Sequence, residues 1–385
     1  MTRWENYLAA AAKIIGAYQG SLPLHHFLKA FFKEHPYMGS RDRRWISQLV
    51  YHYYRLGHWG KELPLNERIL AGTFLCEHTS TDLLKALQPA WDEQIQLPLE
   101  GKAALLGLPV TATRIFPLVT ELSPAVAAEA FGLSFLQQPR LFIRVRNNKL
   151  DKVLKLLQQA AVHYEVFENN ATIALPNGTK IETLLPEKSW YEVQDASSQQ
   201  TGNLFRPGKN EQWWDCCAAS GGKSILLKDQ QPGVQLLVSD VRRSILENLQ
   251  QRFAAAGIKQ YEARVADLTS DRFPATMGQQ KFDGIILDAP CSGSGTWGRT
   301  PESVSFFNQE EILKYQQLQK RIAHNVIPFL KKGGALIYIT CSVFRQENEE
   351  VVQYIEENSA LRKQEGGIIA GYGEGADTMF AVRFS

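Results

Sequence analysis

The stretch Asp283-Gly-Ile-Ile-Leu-Asp-Ala-Pro-Cys-Ser-Gly-Ser-Gly295 constrains this sequence most. Ile285 to Leu287 is an apolar, largely β-branched run, the pattern of a strand buried on both faces. It ends in Asp288, then a proline and two glycines one residue apart, which forces an irregular loop. A buried strand thus delivers a carboxylate, Asp288, and a thiol, Cys291, to one edge of a sheet. In open α/β sheets that edge binds ligands. Taken alone, Asp288 capping a helix and Cys291 filling a core would explain the stretch as well. The rest of the chain separates the two readings.

The 385 residues suggest two or three domains, and 44% apolar with 21% charged residues is the composition of a globular protein with a large core. Five cysteines, an odd number, argue against a disulfide framework. Cys216 and Cys217 are adjacent and no C-x-x-C spacing occurs, so no metal site is expected. The N-terminus lacks a signal-peptide pattern and no apolar run approaches a membrane span. A reducing cytoplasm, no membrane partner and a monomer are the expectations. Charge is uneven. Residues 1–60 hold eight Lys/Arg against three Asp/Glu, and residues 61–130 hold five against nine. The local excess of positive charge fits either a nucleic-acid contact or a solvated face.

Residues 1–130 read as all-helical. Trp4 to Ile15 is rich in helix formers, His25 to Phe32 is a second pattern, and Arg44 to Arg55 a third. The third carries Trp45, Ile46, Leu49, Val50, Tyr53 and Tyr54 on one stripe. The cluster Arg41-Asp-Arg-Arg44 lies at its start, where cations oppose the helix dipole. Phosphate contact and a solvated turn explain it equally. Residues 138–200 change character to a small α+β module. Arg140 to Arg146 alternates like a strand, Lys149 to Ala161 reads as a helix, and short strands fall at Tyr164–Phe167 and Thr172–Leu175. From 201 to 385 strands and helices alternate, which predicts a doubly wound parallel sheet. Its later elements are a helix from Gln309 to Ile327, a strand from Ala335 to Ile339, and a helix from Gln346 to Glu357.

Two constellations carry chemistry. In the first, the strand Trp213 to Cys217 runs into Ala-Ala-Ser-Gly-Gly-Lys-Ser224 at a helix start, where bare amides suit an anionic group. Neither G-x-x-x-x-G-K nor G-x-G-x-x-G is present. Asp240 closes the next strand, 18 residues beyond Gly222, the position of a ribose-binding acid. Asp267 closes the third, in reach of an adenine amino group. Acids on consecutive strand ends beside a Gly-Gly turn suit an adenosyl ligand with a carboxylate. S-adenosylmethionine fits better than a dinucleotide. In the second, Cys291 and Cys341 end two strands expected to be neighbours. Converging thiols without a disulfide context point to covalent chemistry, although each alone would read as a small buried hydrophobe.

Asp215-Cys-Cys-Ala-Ala-Ser-Gly-Gly-Lys-Ser224, Asp288-Ala-Pro-Cys-Ser-Gly-Ser-Gly295 and Thr340-Cys-Ser342 resemble the signature blocks of the Sun/Fmu-type RNA cytosine-5 methyltransferases. Gln194-Asp195 with Ser197-Ser198 resembles that family's lead-in, and Arg144-Val-Arg-Asn147 its small module. The helical domain is similar to the antiterminator-like RNA-binding domain of the bacterial RsmB type. The resemblance implies a Rossmann-like S-adenosylmethionine-dependent methyltransferase domain behind two RNA-binding parts, with ribosomal RNA as substrate. It implies Cys341 as nucleophile toward cytosine carbon 6, Cys291 as the thiol that helps release product, and Asp288 as the acid near ring nitrogen 3. It also implies that Cys217, Ala218, Ala219, Ser220, Gly221, Gly222 and Lys223, with Asp240, Asp267 and Asp288, cradle the cofactor. Ser220 departs from the family's Pro, which predicts a looser loop. Thr378-Met379 stands where the family tends to show Gly-Phe. A helix N-terminus after Cys341 is expected to stabilise its thiolate. Removing residues 1–130 is expected to weaken RNA binding and spare cofactor binding. A transfer-RNA substrate, a silent RNA-binding module and, remotely, amino-group methylation are the alternatives.

Overall fold

The structure, a computed structural model, describes residues 2–146, 148–167, 171–270, 273 and 277–385. Asn147, which closes the Arg144-Val-Arg-Asn147 block, lies outside the described residues. The chain forms two compact units. The first is Met1–Thr120, Ala127–Gln138 and Thr296–Gln309, and the second is Glu121–Val126, Pro139–Gly295 and Glu310–Ser385.

The first unit is helical, led by Arg3–Ala17, Leu24–Glu34, Ser40–Arg55 and Leu65–Cys76. Thr2 and Glu5 close a reciprocal capping box at the first helix. Helix Ser40–Arg55 buries Ile46, Leu49, Val50 and Tyr54 against Ala11, Ile14 and Phe74. Gly72 permits close approach here, because a Cβ would lie 2.7 Å from the His52 carbonyl oxygen. This helix begins four residues before Arg44, so the Arg41–Arg44 cluster is its first turn. Asp42 offsets those cations. Its carboxylate accepts the Tyr7 hydroxyl and the Gly39 N–H, and these bonds hold it below the usual carboxylate range. Arg43 Nε donates to the Met38 carbonyl oxygen at 2.8 Å, while Arg41 and Arg44 stay exposed.

Residues 296–309 follow the Gly295 loop in sequence yet belong to this first unit. The buried Arg55 guanidinium donates to the Phe135, Gln137 and Gly298 carbonyls and to Gln138 Oε1. Glu302 Oε1 accepts the Leu24 N–H at 3.1 Å, and Phe306 packs on Tyr18. The domain expected over 201–385 is therefore interrupted at Thr296–Gln309, which belongs to the first unit. Removing residues 1–130 would strip these partners from 296–309, so that truncation is not the clean separation the sequence suggested.

The second unit holds two sheets. Four antiparallel strands, β1 (Leu141–Val145), β2 (Glu165–Val166), β3 (Thr172–Leu175) and β4 (Tyr191–Val193), lie in the order β2-β3-β1-β4. This module shares one compact unit with the larger sheet. Arg144 Nη1 and Arg146 Nε and Nη2 all bond the Asp229 carboxylate of helix Gly222–Gln230, at 2.6–2.9 Å. Both arginines are buried, so they bolt the module in place and present no charge outward.

The larger sheet contains β5 (Gln212–Asp215), β6 (Gln235–Asp240), β7 (Glu262–Val265), β8 (Phe282–Asp288), β9 (Leu330–Thr340), β10 (Lys363–Ile369) and β11 (Met379–Phe384). Their order is β10-β11-β9-β8-β5-β6-β7, with β9 through β7 parallel and β10 and β11 antiparallel. Both faces are apolar. Trp214, Leu237, Ile285, Leu287 and Tyr338 pack on one, and Trp213, Leu236, Ile286, Ile337 and Ile339 on the other. Strand order reverses at β5, between β6 and β8, which is where a doubly wound sheet opens its ligand crevice.

Candidate active site

The loop after β5 is shaped by backbone conformation. Ala219 has φ +45° and Gly221 φ +87°. The first is uncommon for a residue with a Cβ, and such strain gathers at functional sites. At Gly221 a Cβ would lie 2.6 Å from the Phe253 ring, whereas at Gly222 the nearest atom would be 3.7 Å away. Gly221 donates its N–H to the Ala218 carbonyl oxygen at 2.8 Å and Ala219 donates to Asp240 Oδ2 at 3.2 Å. With the Gly221 amide engaged, the amides without intrahelical partners are those of the first turn of the helix that starts at Gly222. Ser220 is not idle: its hydroxyl accepts from Arg252 Nη1 at 2.8 Å, and Arg252 Nε bonds Glu192.

Asp240 ends β6, buried, and its Oδ1 accepts the Arg242 N–H at 2.9 Å. Asp267 lies two residues beyond β7 and is exposed, with Oδ1 accepting from the Thr269 N–H and hydroxyl. Those bonds hold it below the usual carboxylate range. Asp215, below the loop, is fully buried and accepts the Ser224 hydroxyl at 2.6 Å. Burial pushes its pKa up to about 7 against the pull of that bond.

β8 and β9 are parallel neighbours, and the loops beyond them bring Cys291 Sγ and Cys341 Sγ to 3.3 Å. Both thiols are partly exposed and unoxidised. The hydrogen bond to Cys341, together with burial, pushes the Cys291 thiol well up. Beside them Asp288 Oδ2 meets Lys223 Nζ at 3.0 Å. Burial pulls Lys223 down, but the Asp288 carboxylate outweighs it and the ammonium is held charged, with Cys341 also contributing. Lys223 thus neutralises the acid that would otherwise oppose a thiolate. The expected helix N-terminus beyond Cys341 starts later, at Glu349. A buried polar turn fills the gap, and the nearby positive charge comes from Lys223.

Sequence reading missed that polar turn. Ser294, Gln319, Ser342, Glu347 and Asn348 are all buried. Glu347 Oε2 accepts the Ser292 N–H and Gln319 Nε2, both at 2.9 Å, and its Oε1 accepts the Ser342 hydroxyl at 2.6 Å. Asn348 Nδ2 donates to the Ser342 carbonyl oxygen at 2.9 Å. Gly295 is obligatory: it donates to the Cys341 carbonyl oxygen, and a Cβ there would collide with the Thr378 carbonyl. The signal was the string of polar residues after Thr340-Cys-Ser342, which looked like an ordinary helix start.

Residues 203–372 match the family model described as 16S rRNA methyltransferase RsmB/F. Over 229 residues the chain is 33% identical to ribosomal RNA small subunit methyltransferase B of Proteus mirabilis, a match covering 56% of this chain and 51% of that one. The chain thus spans about half the length of the curated relatives it matches. Among solved structures it is similar to PH0851 across its whole length, with a TM-score of 0.73, 19% identity and 99% of that chain covered. It also resembles a methyltransferase homolog protein from Pyrococcus horikoshii, with a TM-score of 0.57 and 20% identity over 69% of this chain and 92% of that one. The chain shares with these structures a Rossmann-like fold, a doubly wound sheet with strand order reversing at β5. Residues 203–372 of the chain are thus similar to the RsmB/F methyltransferases.

Proposed function

We propose that this protein methylates carbon 5 of a cytosine in ribosomal RNA, using S-adenosylmethionine and a covalent cysteine adduct. The observation that carries the reading is the thiol pair, 3.3 Å apart at the ends of β8 and β9, beside the Lys223–Asp288 ion pair. Amino-group methylation needs no thiol, so this pairing favours carbon methylation. The residues present fit the cofactor. Gly222 opens a helix whose first-turn amides have no intrahelical partner, with the Arg252 guanidinium in ordinary contact with where its Cβ would lie, and Asp240 is a buried acid at the next strand end. The bound cofactor supplies an electrophilic methyl group.

The chain's own groups do the rest. Lys223 holds Asp288 toward the base near ring nitrogen 3. Cys341 Sγ forms a bond to carbon 6, and carbon 5 gains the nucleophilicity to take the methyl. Cys291, once its own proton has passed to solvent, accepts the carbon-5 proton as a thiolate, and the electron pair left behind breaks the carbon 6–sulfur bond and frees Cys341 as its thiolate. The exposed Arg41 and Arg44 of the first unit would contact phosphate, with affinity falling as salt rises. Among the described residues no helix is long and apolar enough to cross a membrane.

Bisulfite sequencing of ribosomal RNA from a deletion strain tests this. One protected cytosine should vanish on deletion, return with the wild-type gene and stay absent with Cys341→Ala. An unchanged protection pattern on deletion would contradict the reading.

A further inference from the structure

We infer that Glu347 is a positioning residue that sets the spacing of the two thiols, because its carboxylate bonds the residue following each cysteine. Ser292 follows Cys291 and its N–H reaches Oε2. Ser342 follows Cys341 and its hydroxyl reaches Oε1. One buried side chain thus spans both loops. The bridge is braced from below. Gln319, on helix Glu310–Val326, donates Nε2 to Glu347 Oε2 and to the Pro290 carbonyl oxygen, both at 2.9 Å. The Tyr338 hydroxyl donates to the Glu347 carbonyl oxygen at 2.6 Å. Ser292 and Ser294 hydroxyls each lie 3.2 Å from the Ser342 hydroxyl.

Strand pairing alone does not fix this spacing. Cys291 lies three residues past the end of β8, beyond Pro290, and Cys341 one residue past β9. Loops of that kind drift unless side chains hold them. A carboxylate suits the role because it offers two acceptor oxygens in a fixed plane. The inference rests on the thiol-dependent reaction proposed above, but its first test needs neither RNA nor turnover.

Phenylarsine oxide captures two thiols only when they are close. Its arsenic–oxygen bond is replaced by two arsenic–sulfur bonds, and the oxygen leaves as water with both thiol protons. Capture is measured on the full chain, relative to a Cys291→Ala control that removes the contribution of Cys216 and Cys217. Wild type should be captured, and Glu347→Ala should be captured about tenfold more slowly or worse, with methyl-transfer kcat lowered by about 10²-fold, the scale of an ångström's misplacement. The KM for S-adenosylmethionine should hold. Glu347→Gln should rescue both, because its amide can donate to a turned Ser342 hydroxyl while its oxygen keeps Ser292. Wild-type capture by a folded Glu347→Ala would overturn the inference, as would a Glu347→Gln as impaired as the alanine. If Glu347→Ala does not fold, Ser342→Ala decides. Slow capture at an unchanged Tm supports the bridge, and wild-type capture contradicts it.

Discussion

Two fully buried carboxylates lie under the candidate site, and the fold serves them oppositely. Asp215 sits below the loop after β5 with one oxygen bonded to Ser224 and the other without a partner among the described residues. Glu347 sits below the thiol loops with both oxygens bonded. The difference marks two building methods. The loop after β5 takes its shape from backbone, through the positive φ of Ala219 and Gly221, and leaves a polar atom wanting. The thiol loops take theirs from a side-chain network centred on Glu347, both of whose oxygens are bonded, with Gln319 Oε1 the member left without a partner among the described residues. A ligand loop can adapt on binding. Two sulfurs proposed to act on one base would have no such latitude.

The largest effect expected from this contrast is a pH dependence. The Asp215 pKa is about 7 in the folded chain against an ordinary 3.8. Between those values the unfolded chain has released the proton and the folded chain keeps it. The contribution of Asp215 to stability is complete below about pH 4 and is lost as pH rises through 7. The loss is at most about 4 kcal/mol at 1.36 kcal/mol per unit. Urea midpoints of wild type and Asp215→Asn at pH 5 and pH 7.5 check it, and the asparagine variant should show the flatter profile. Next, Gly221→Ala should destabilise by about 2–4 kcal/mol, combining left-handed strain with a clash against Phe253. Gly222→Ala has room, so it should keep the wild-type urea midpoint and lose affinity for S-adenosylmethionine by calorimetry. Equal stability losses in the two variants would break the account of the loop. Asp240→Ala should weaken calorimetric cofactor affinity by about 1–3 kcal/mol, the scale of a charge-assisted hydrogen bond. Ser220→Ala removes only the Arg252 bond at an exposed edge and should change stability by less than about 1 kcal/mol.

The sheet was legible because its strands are continuous apolar runs ending in chemistry. Ile285 to Leu287, Val234 to Asp240 and the Thr340-Cys-Ser342 block all signal their strand and its edge in a few residues. β8 and β9 prove adjacent, as the converging cysteines require. Non-local features were hidden. Nothing in Thr296–Gln309 announces that Glu302 caps a distant helix at Leu24. Arg144 and Arg146 look like surface charge in an alternating strand until Asp229, more than 80 residues on, takes both. Glu347 was invisible for the same reason. Its partners come from three separate segments, and a buried carboxylate cannot be told from a solvated helix-start acid by spacing alone.

In the proposed reaction two thiols with divided roles act on one base. Its most direct measurement is denaturing gel electrophoresis of Cys291→Ala and Cys341→Ala after incubation with S-adenosylmethionine and ribosomal RNA. Cys291→Ala should form the carbon 6–sulfur bond without releasing it, giving a denaturant-resistant protein–RNA band. Cys341→Ala should give none and lose methylation by at least about 10⁴-fold, on the scale of deleting an enzymic nucleophile. A band from Cys341→Ala instead would reverse the roles, and no band from either would contradict a covalent mechanism.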